Sequence, residues 1–188
     1  MVVVGYRGHG GVLVRNFLGS VSSGLVYHAH CPVAVIHDEE PLVANVARAP
    51  VLVGIDGSAA SEAATAIAFD EASRRGVRLM ALHAWTDLRV SDFKELFPNF
   101  NWDAQLSDEE ETLAERLAGW HERYPDVGIL RKIETGEPAG PLIEASKRAQ
   151  LIVVGSHGRG GFAGMLLGSV GAAVVNRARI PVIVARQS

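Results

Sequence analysis

One cysteine in 188 residues, Cys31, excludes an intramolecular disulfide and leaves no thiol cluster for a metal site. Standing before Pro32, it reads as a small buried apolar residue, with a reactive thiol as the lesser reading. No run reaches the roughly 18 apolar residues of a membrane helix, and the valines after Met1 are too few and too poorly flanked for a signal peptide. The expected setting is therefore the cytoplasm, with no membrane partner. A formal net charge of −3 argues against a general nucleic-acid binder. No Gly-Lys-Ser/Thr follows any glycine cluster, which removes a P-loop.

Acidic residues are missing from both ends of the chain. Residues 1–37 carry Arg7 and Arg15 and no acid (+2), and residues 145–188 carry six bases and no acid (+6). Residues 38–144 hold all 21 acids against 10 bases (−11). Each acid-free segment contains a glycine-rich loop. An anion-binding loop requires that arrangement, because a nearby carboxylate repels the ligand.

The stretch GSHGRGGFAGMLLGS, residues 155–169, follows the apolar run LIVV and holds six glycines. The same unit occurs earlier: residues 2–36 parallel residues 152–185 element for element, as strand, glycine loop, helix, proline and strand. Gly5, Gly8, Gly10 and Gly11 fall on Gly155, Gly158, Gly160 and Gly161; Gly19-Ser20 and Pro32 fall on Gly168-Ser169 and Pro181. The first copy has one extra residue between its loop glycines and Gly19. Copies 150 positions apart suggest tandem domains rather than a solenoid. The first copy begins at its strand, so the expectation is a domain of which only the last third is present.

From residue 50 onward a whole domain is expected. PVLVGID (50–56) reads as a strand, then a helix capped by Ser58 or Ser61 runs to Arg75 and stops at Gly76. VRLMALHAW (77–85) is a second strand. Ser107-Asp-Glu-Glu110 has capping-box spacing, and Leu113, Leu117 and Trp120 stripe a helix ending near Tyr124. VGILRKIE (127–134) is a third strand and residues 138–148 a helix, followed by the repeat unit. Alternating strands and helices predict a parallel sheet covered on both faces, with ligands at the strands' carboxyl ends.

Glycines let backbone N–H groups approach a ligand with no Cβ in the way, and Gly168-Ser169 opens a helix whose free N–H groups attract an anion. Two such clusters ten residues apart can wrap a chain of phosphates. Ser169 adds a hydroxyl and Arg159 a charge; His157 is the weaker candidate, being mostly neutral at pH 7. In the first copy Arg7 and His9 flank Gly8 in the reverse order.

Gly155-x-x-Gly158, nine residues, then Gly168-Ser169 resembles the G-2x-G-9x-G-(S/T) pattern of the ATP-binding branch of the universal stress protein family. The resemblance spans nearly the whole chain. VLVGIDGS is similar to that family's opening strand, LIVVGSHGRGG to its fourth strand and loop, and LLGSV with RIPVIVAR to its closing helix and strand. The whole is most similar to the tandem proteins of actinobacteria. It implies a Rossmann-like α/β fold: a five-stranded parallel sheet in residues 50–188, a linker over 41–49, and a β-α-β remnant of a second such domain in 1–40.

The resemblance also implies residue roles. Ile55 and Asp56 would meet the nucleoside or metal end of ATP accompanied by magnesium, and the backbone at His83 and Ala84 would contact adenine. Gly155, Gly158, Arg159, Gly160, Gly168, Ser169 and Val170 would surround ribose and phosphates. The chain departs from the family at the first copy's longer spacing and at Gln150, where aspartate is usual. The former weakens a site at residues 5–20, and the latter bears on loop packing.

A dinucleotide site forced onto Gly158-x-Gly160-x-x-Ala163 fails, because no acid after Glu144 remains to hold a ribose. A glycine turn without a ligand, in a pure interaction domain, stays open. His83 could be a satisfied core histidine, and Phe93, Phe97, Phe100 and Trp102 a covering flap or a partner surface. The expected function is a nucleotide-dependent regulatory module in a stress response, not an enzyme, with slow ATP hydrolysis as the alternative. The resemblance further implies that residues 33–36 pair antiparallel with residues 182–185, as final strands do in tandem and dimeric members, in the same chain or across a homodimer.

Overall fold

A computed structural model describes residues 1–6, 18–37, 42–85, 101–158 and 166–186, with the side chain of Trp102 left out. Its elements are β1 (Val2–Gly5), α1 (Ser20–His28), β2 (Val33–Ile36), a 3-10 turn (Val46–Arg48), β3 (Val51–Gly54), α2 (Ala59–Arg75), β4 (Leu79–Ala84), α3 (Trp102–Arg123), β5 (Ile129–Glu134), α4 (Ala139–Ser146), β6 (Leu151–Gly155), α5 (Ser169–Arg177) and β7 (Val182–Ala185).

All strands join one seven-stranded sheet in the order β1-β2-β7-β6-β3-β4-β5. Every neighbouring pair is parallel except β2 and β7, where Val33, Ala34 and Val35 oppose Val184, Ile183 and Val182. The expected antiparallel contact is thus made inside the chain. The expected five-stranded sheet with an appended fragment is corrected to a single continuous sheet, because β2 satisfies the edge that β7 would otherwise expose. The edge of β7 on which a homodimer was expected is already paired.

Alternation along the strands divides the apolar residues between the two faces. Leu52, Leu82, Ile152, Val182 and Val184 pack with Val26 of α1, Leu142 of α4 and Val174 of α5. Val51, Val53, Leu79, Val153 and Ile183 pack on the other face with Ala64, Ala68 and Phe69 of α2 and Leu113 and Leu117 of α3. With both faces covered, the central strands become continuous apolar runs. Fully buried Val26, Val33 and Val35 belong to the same cluster as Leu52 and Ile152, so residues 1–37 share the core.

Local chemistry sets the helix ends. Ser58 caps α2 by accepting from the Ser61 N–H at 3.1 Å, and Gly76 ends it at φ 61°, a left-handed conformation open to glycine. The cap expected at Ser107 is corrected: the cap of α3 lies six residues earlier, at Asn101, whose side chain accepts from the Ala104 N–H at 3.1 Å. Its first turns lie in solvent and so carry no apolar stripe to mark them. Gln150 is buried below the sheet, donating to the Ala49 carbonyl at 2.6 Å and accepting from Arg75 at 2.9 Å, as a loop-packing role requires. Among the described residues no helix is long and apolar enough to cross a membrane.

Candidate nucleotide site

Strand order reverses around β3: β4 and β5 follow on one side, β6 and β7 on the other. Loops leaving the carboxyl ends of β3 and β6 therefore diverge, and such a switch point opens a crevice in this class of sheet. A cavity of about 450 Å³ lies there. Of the twelve residues singled out from the sequence, ten line it: Ile55, Asp56, His83, Ala84, Gly155, His157, Gly158, Gly168, Ser169 and Val170. Arg159 and Gly160 lie outside the described residues, as do Phe93, Phe97 and Phe100.

The β6 side is built from backbone. Gly168 stands at the N-terminus of α5, and the first N–H groups of the helix, on Ser169, Val170 and Gly171, have no carbonyl one turn back. All three residues line the cavity, and no acid occupies the first turn. The Gly168 N–H donates to the Ser156 carbonyl at 2.7 Å, which ties the start of α5 to the end of β6. At Gly155 a Cβ would lie 2.8 Å from the carbonyl carbon of Ala60, so glycine there lets the start of α2 approach the strand.

The β3 loop closes against that wall. Asp56 accepts from the Ser58 N–H at 2.8 Å, the Ser58 hydroxyl donates to the His157 carbonyl at 3.2 Å, and the Ser61 hydroxyl accepts from the Asp56 N–H at 3.1 Å. A Cβ on Gly158 would sit 2.6 Å from Asp56 Oδ2, which brings this carboxylate to the glycine loop. The sequence separates Asp56 from that loop by a hundred residues, and the fold brings it there.

The β4 side is polar and tightly held. His83 is 5% exposed, its Nδ1 2.6 Å from the Ile55 carbonyl and its Nε2 3.1 Å from Glu109 Oε2 on α3. Gln105, one turn earlier, donates to Glu109 Oε1 at 3.0 Å. His83 is therefore the satisfied histidine of the two expectations and also a cavity residue, while Ala84 lies beside it at the end of β4.

Sequence reasoning missed Glu109, Trp85, Pro138 and Leu142, which also line the cavity. Glu109 had a signal. Its position continues the buried stripe of Leu113 and Leu117 one turn further, and an acid on a buried stripe asks for a partner.

The universal stress protein family model matches residues 1–37 and 48–186. Universal stress protein Rv2623 of Mycobacterium tuberculosis is 59% identical over all 188 residues, and Rv2005c of the same species is 58% identical. The chain spans 62% of the length of each of these relatives. A universal stress protein from Archaeoglobus fulgidus superposes at a TM-score of 0.66 with 25% identity, over 99% of this chain and 62% of that one. A universal stress protein solved in complex with cAMP superposes at 0.53 with 26% identity, over 75% of this chain and 98% of that one. With matches over nearly every residue and at this level of identity, the chain belongs to the universal stress protein family.

Proposed function

We propose that the chain binds an adenine nucleotide, ATP, in the cavity between β3, β6 and β4, and acts as a regulatory module whose occupancy biases partner choice or assembly in a stress response. The observation that carries this reading is the meeting of ten sequence-selected residues around one 450 Å³ cavity with an acid-free helix N-terminus in its wall. A helix start surrounded by glycines supplies N–H donors to phosphates at short range. The cAMP complex of a structural relative adds support for an adenine-bearing ligand. Among the described residues no three His, Cys, Asp or Glu side chains converge on a metal position. Magnesium would then be held by the phosphates, with Asp56 as the oxygen donor from the chain.

Slow hydrolysis is the second reading, favoured by the Asp56 carboxylate at the glycine loop. Hydrolysis needs a placed base and charge stabilisation at the γ-phosphate. Mass spectrometry of nucleotide released from the denatured protein tests the binding reading, with ATP or another adenine nucleotide expected. Purified protein saturated with ATP should release phosphate at the background rate; sustained turnover would move the assignment to a hydrolase. A homodimer through the final strands would require β2 to leave β7, so self-association is expected on another surface if sizing detects it.

A further inference from the structure

His83 and Glu109, at the β4 side of the cavity, form a fixed polar group with Gln105, and nothing in the phosphate-binding argument uses it. The cavity runs from β6 across β3 to β4, two strand spacings or about 10 Å. N–H donors crowd the β6 end. At the β4 end Glu109 lines the same cavity. A ligand with an anionic head at α5 therefore meets, at its other end, a group that accepts hydrogen bonds.

The acceptor is held in place. The Ile55 carbonyl can only accept, so His83 Nδ1 carries a proton and donates to it at 2.6 Å. Nε2 lies 3.1 Å from Glu109 Oε2, while Gln105 donates to Oε1 at 3.0 Å. A carboxylate has about four lone-pair sites, and these contacts take two. The Glu109 side chain keeps 20% of its surface open. The remaining acceptor capacity sits on a side chain whose two oxygens are each tied, which is how a recognition group is pre-organised.

We infer that Glu109 is the specificity-determining residue of the site, accepting a hydrogen bond from the 6-amino group of a purine, with His83 and Gln105 as positioning residues. This rests on the nucleotide reading above and adds to it how the base is chosen. A purine lacking the amino group leaves the carboxylate without a donor. Loss of a hydrogen bond to a charged group corresponds to about 10- to 100-fold in affinity.

The test is calorimetric titration of the 188-residue chain with ATP and with purine riboside triphosphate, which lacks only the 6-amino group. ATP is expected to bind about 10- to 100-fold more tightly to the wild type, and the ratio to fall to within about threefold of unity in Glu109→Ala. Glu109→Gln keeps the length and an uncharged acceptor, and serves if the alanine variant does not fold; its ratio is expected near 3 to 10. Gln105→Ala leaves Glu109 present and should reduce the ratio more than it reduces binding of the purine riboside nucleotide. Equal binding of the two nucleotides by the wild type overturns the role of Glu109 and leaves the nucleotide reading intact, as does a high ratio that survives both Glu109 substitutions. Failure of the wild type to bind either one removes the nucleotide reading and this inference together.

Discussion

The two glycine-loop units, β1-α1-β2 and β6-α5-β7, share the described backbone hydrogen bonds that close them and differ in what stands beside them. Gly19 N–H donates to the Tyr6 carbonyl as Gly168 N–H donates to that of Ser156; Tyr6 N–H reaches Ile36 as Ser156 N–H reaches Ala185. Val2 and Ile152 both donate to the carbonyl of the proline before the partner strand. Yet no described residue of the first unit lines the cavity. β6 has β3 on its other side, bringing Asp56 and α2, whereas β1 ends the sheet. Val170 is half-buried in the cavity wall, and its counterpart Val21 is 74% exposed. Ser22, in the place of Gly171, turns its hydroxyl onto the Gly5 carbonyl at 2.8 Å. A glycine loop supplies donors, and the neighbouring strands supply the pocket.

The units are also coupled. Tyr6 stacks on His37 with ring centroids 4.5 Å apart and donates its hydroxyl to the Asn176 carbonyl of α5 at 3.3 Å. Arg186, after β7, donates to the carbonyls of Val26 in α1 and Leu166 before α5. Burial lowers its pKa from the ordinary guanidinium value, with nearby Cys31 acting in the opposite direction.

The largest contrast is expected at the paired glycines Gly155 and Gly5. Gly155→Ala puts a Cβ 2.8 Å from the Ala60 carbonyl carbon and 3.0 Å from the Ser61 nitrogen, both backbone atoms that only a shift of α2 can relieve. Overpacking of this kind costs about 1 to 3 kcal/mol and should abolish nucleotide binding with it. Gly5 is exposed, so Gly5→Ala should change stability by no more than about 0.5 kcal/mol. Urea unfolding of both variants measures the difference, and equal losses would show that α2 does not press on β6.

Much of this architecture was legible before the structure. The family resemblance announced the antiparallel pairing of β2 with β7, Gly76 announced the end of α2, and the glycine spacing gathered the β6 wall of the cavity. The start of α3 was hidden because residues 103–108 lie mostly in solvent and show no period, while Ser107 imitates a cap inside the helix. The unity of the sheet was hidden too, since it depends on Val26, Val33 and Val35 entering a core whose other half begins at residue 51. Glu109 sat among a run of acids, and only its place one turn before the Leu113–Leu117 stripe set it apart.

The shared core yields the second contrast. Val26 and Val175 occupy equivalent positions in α1 and α5 and are 0% and 1% exposed. If both belong to one core, Val26→Ala and Val175→Ala should each cost about 1 to 3 kcal/mol, with one cooperative unfolding transition. A near-neutral Val26→Ala, or an early separate transition for residues 1–37, would mark the first unit as a peripheral flap. Scanning calorimetry resolves the two outcomes.

The smallest contrast sits at the helix starts and depends on ATP occupying the cavity. Ser169 and Ser20 follow equivalent glycines, but only Ser169 lines the cavity. Ser169→Ala removes one hydroxyl donor, about 0.5 to 1.5 kcal/mol of binding by calorimetry, and Ser20→Ala should leave the affinity unchanged. Gly168→Ala should weaken binding more than Ser169→Ala. Gly168 has φ −72° and ψ 161°, open to any residue, and its added Cβ would sit 3.5 Å from His157 Cα and the Ser156 oxygen, an ordinary contact. Alanine there leaves the fold undisturbed, so a loss of affinity reports the approach of the phosphates to the backbone alone. Unchanged affinity in Gly168→Ala would mean that the ligand reaches α5 through side chains, and the glycine pattern would then answer to packing at Gly155 rather than to phosphate.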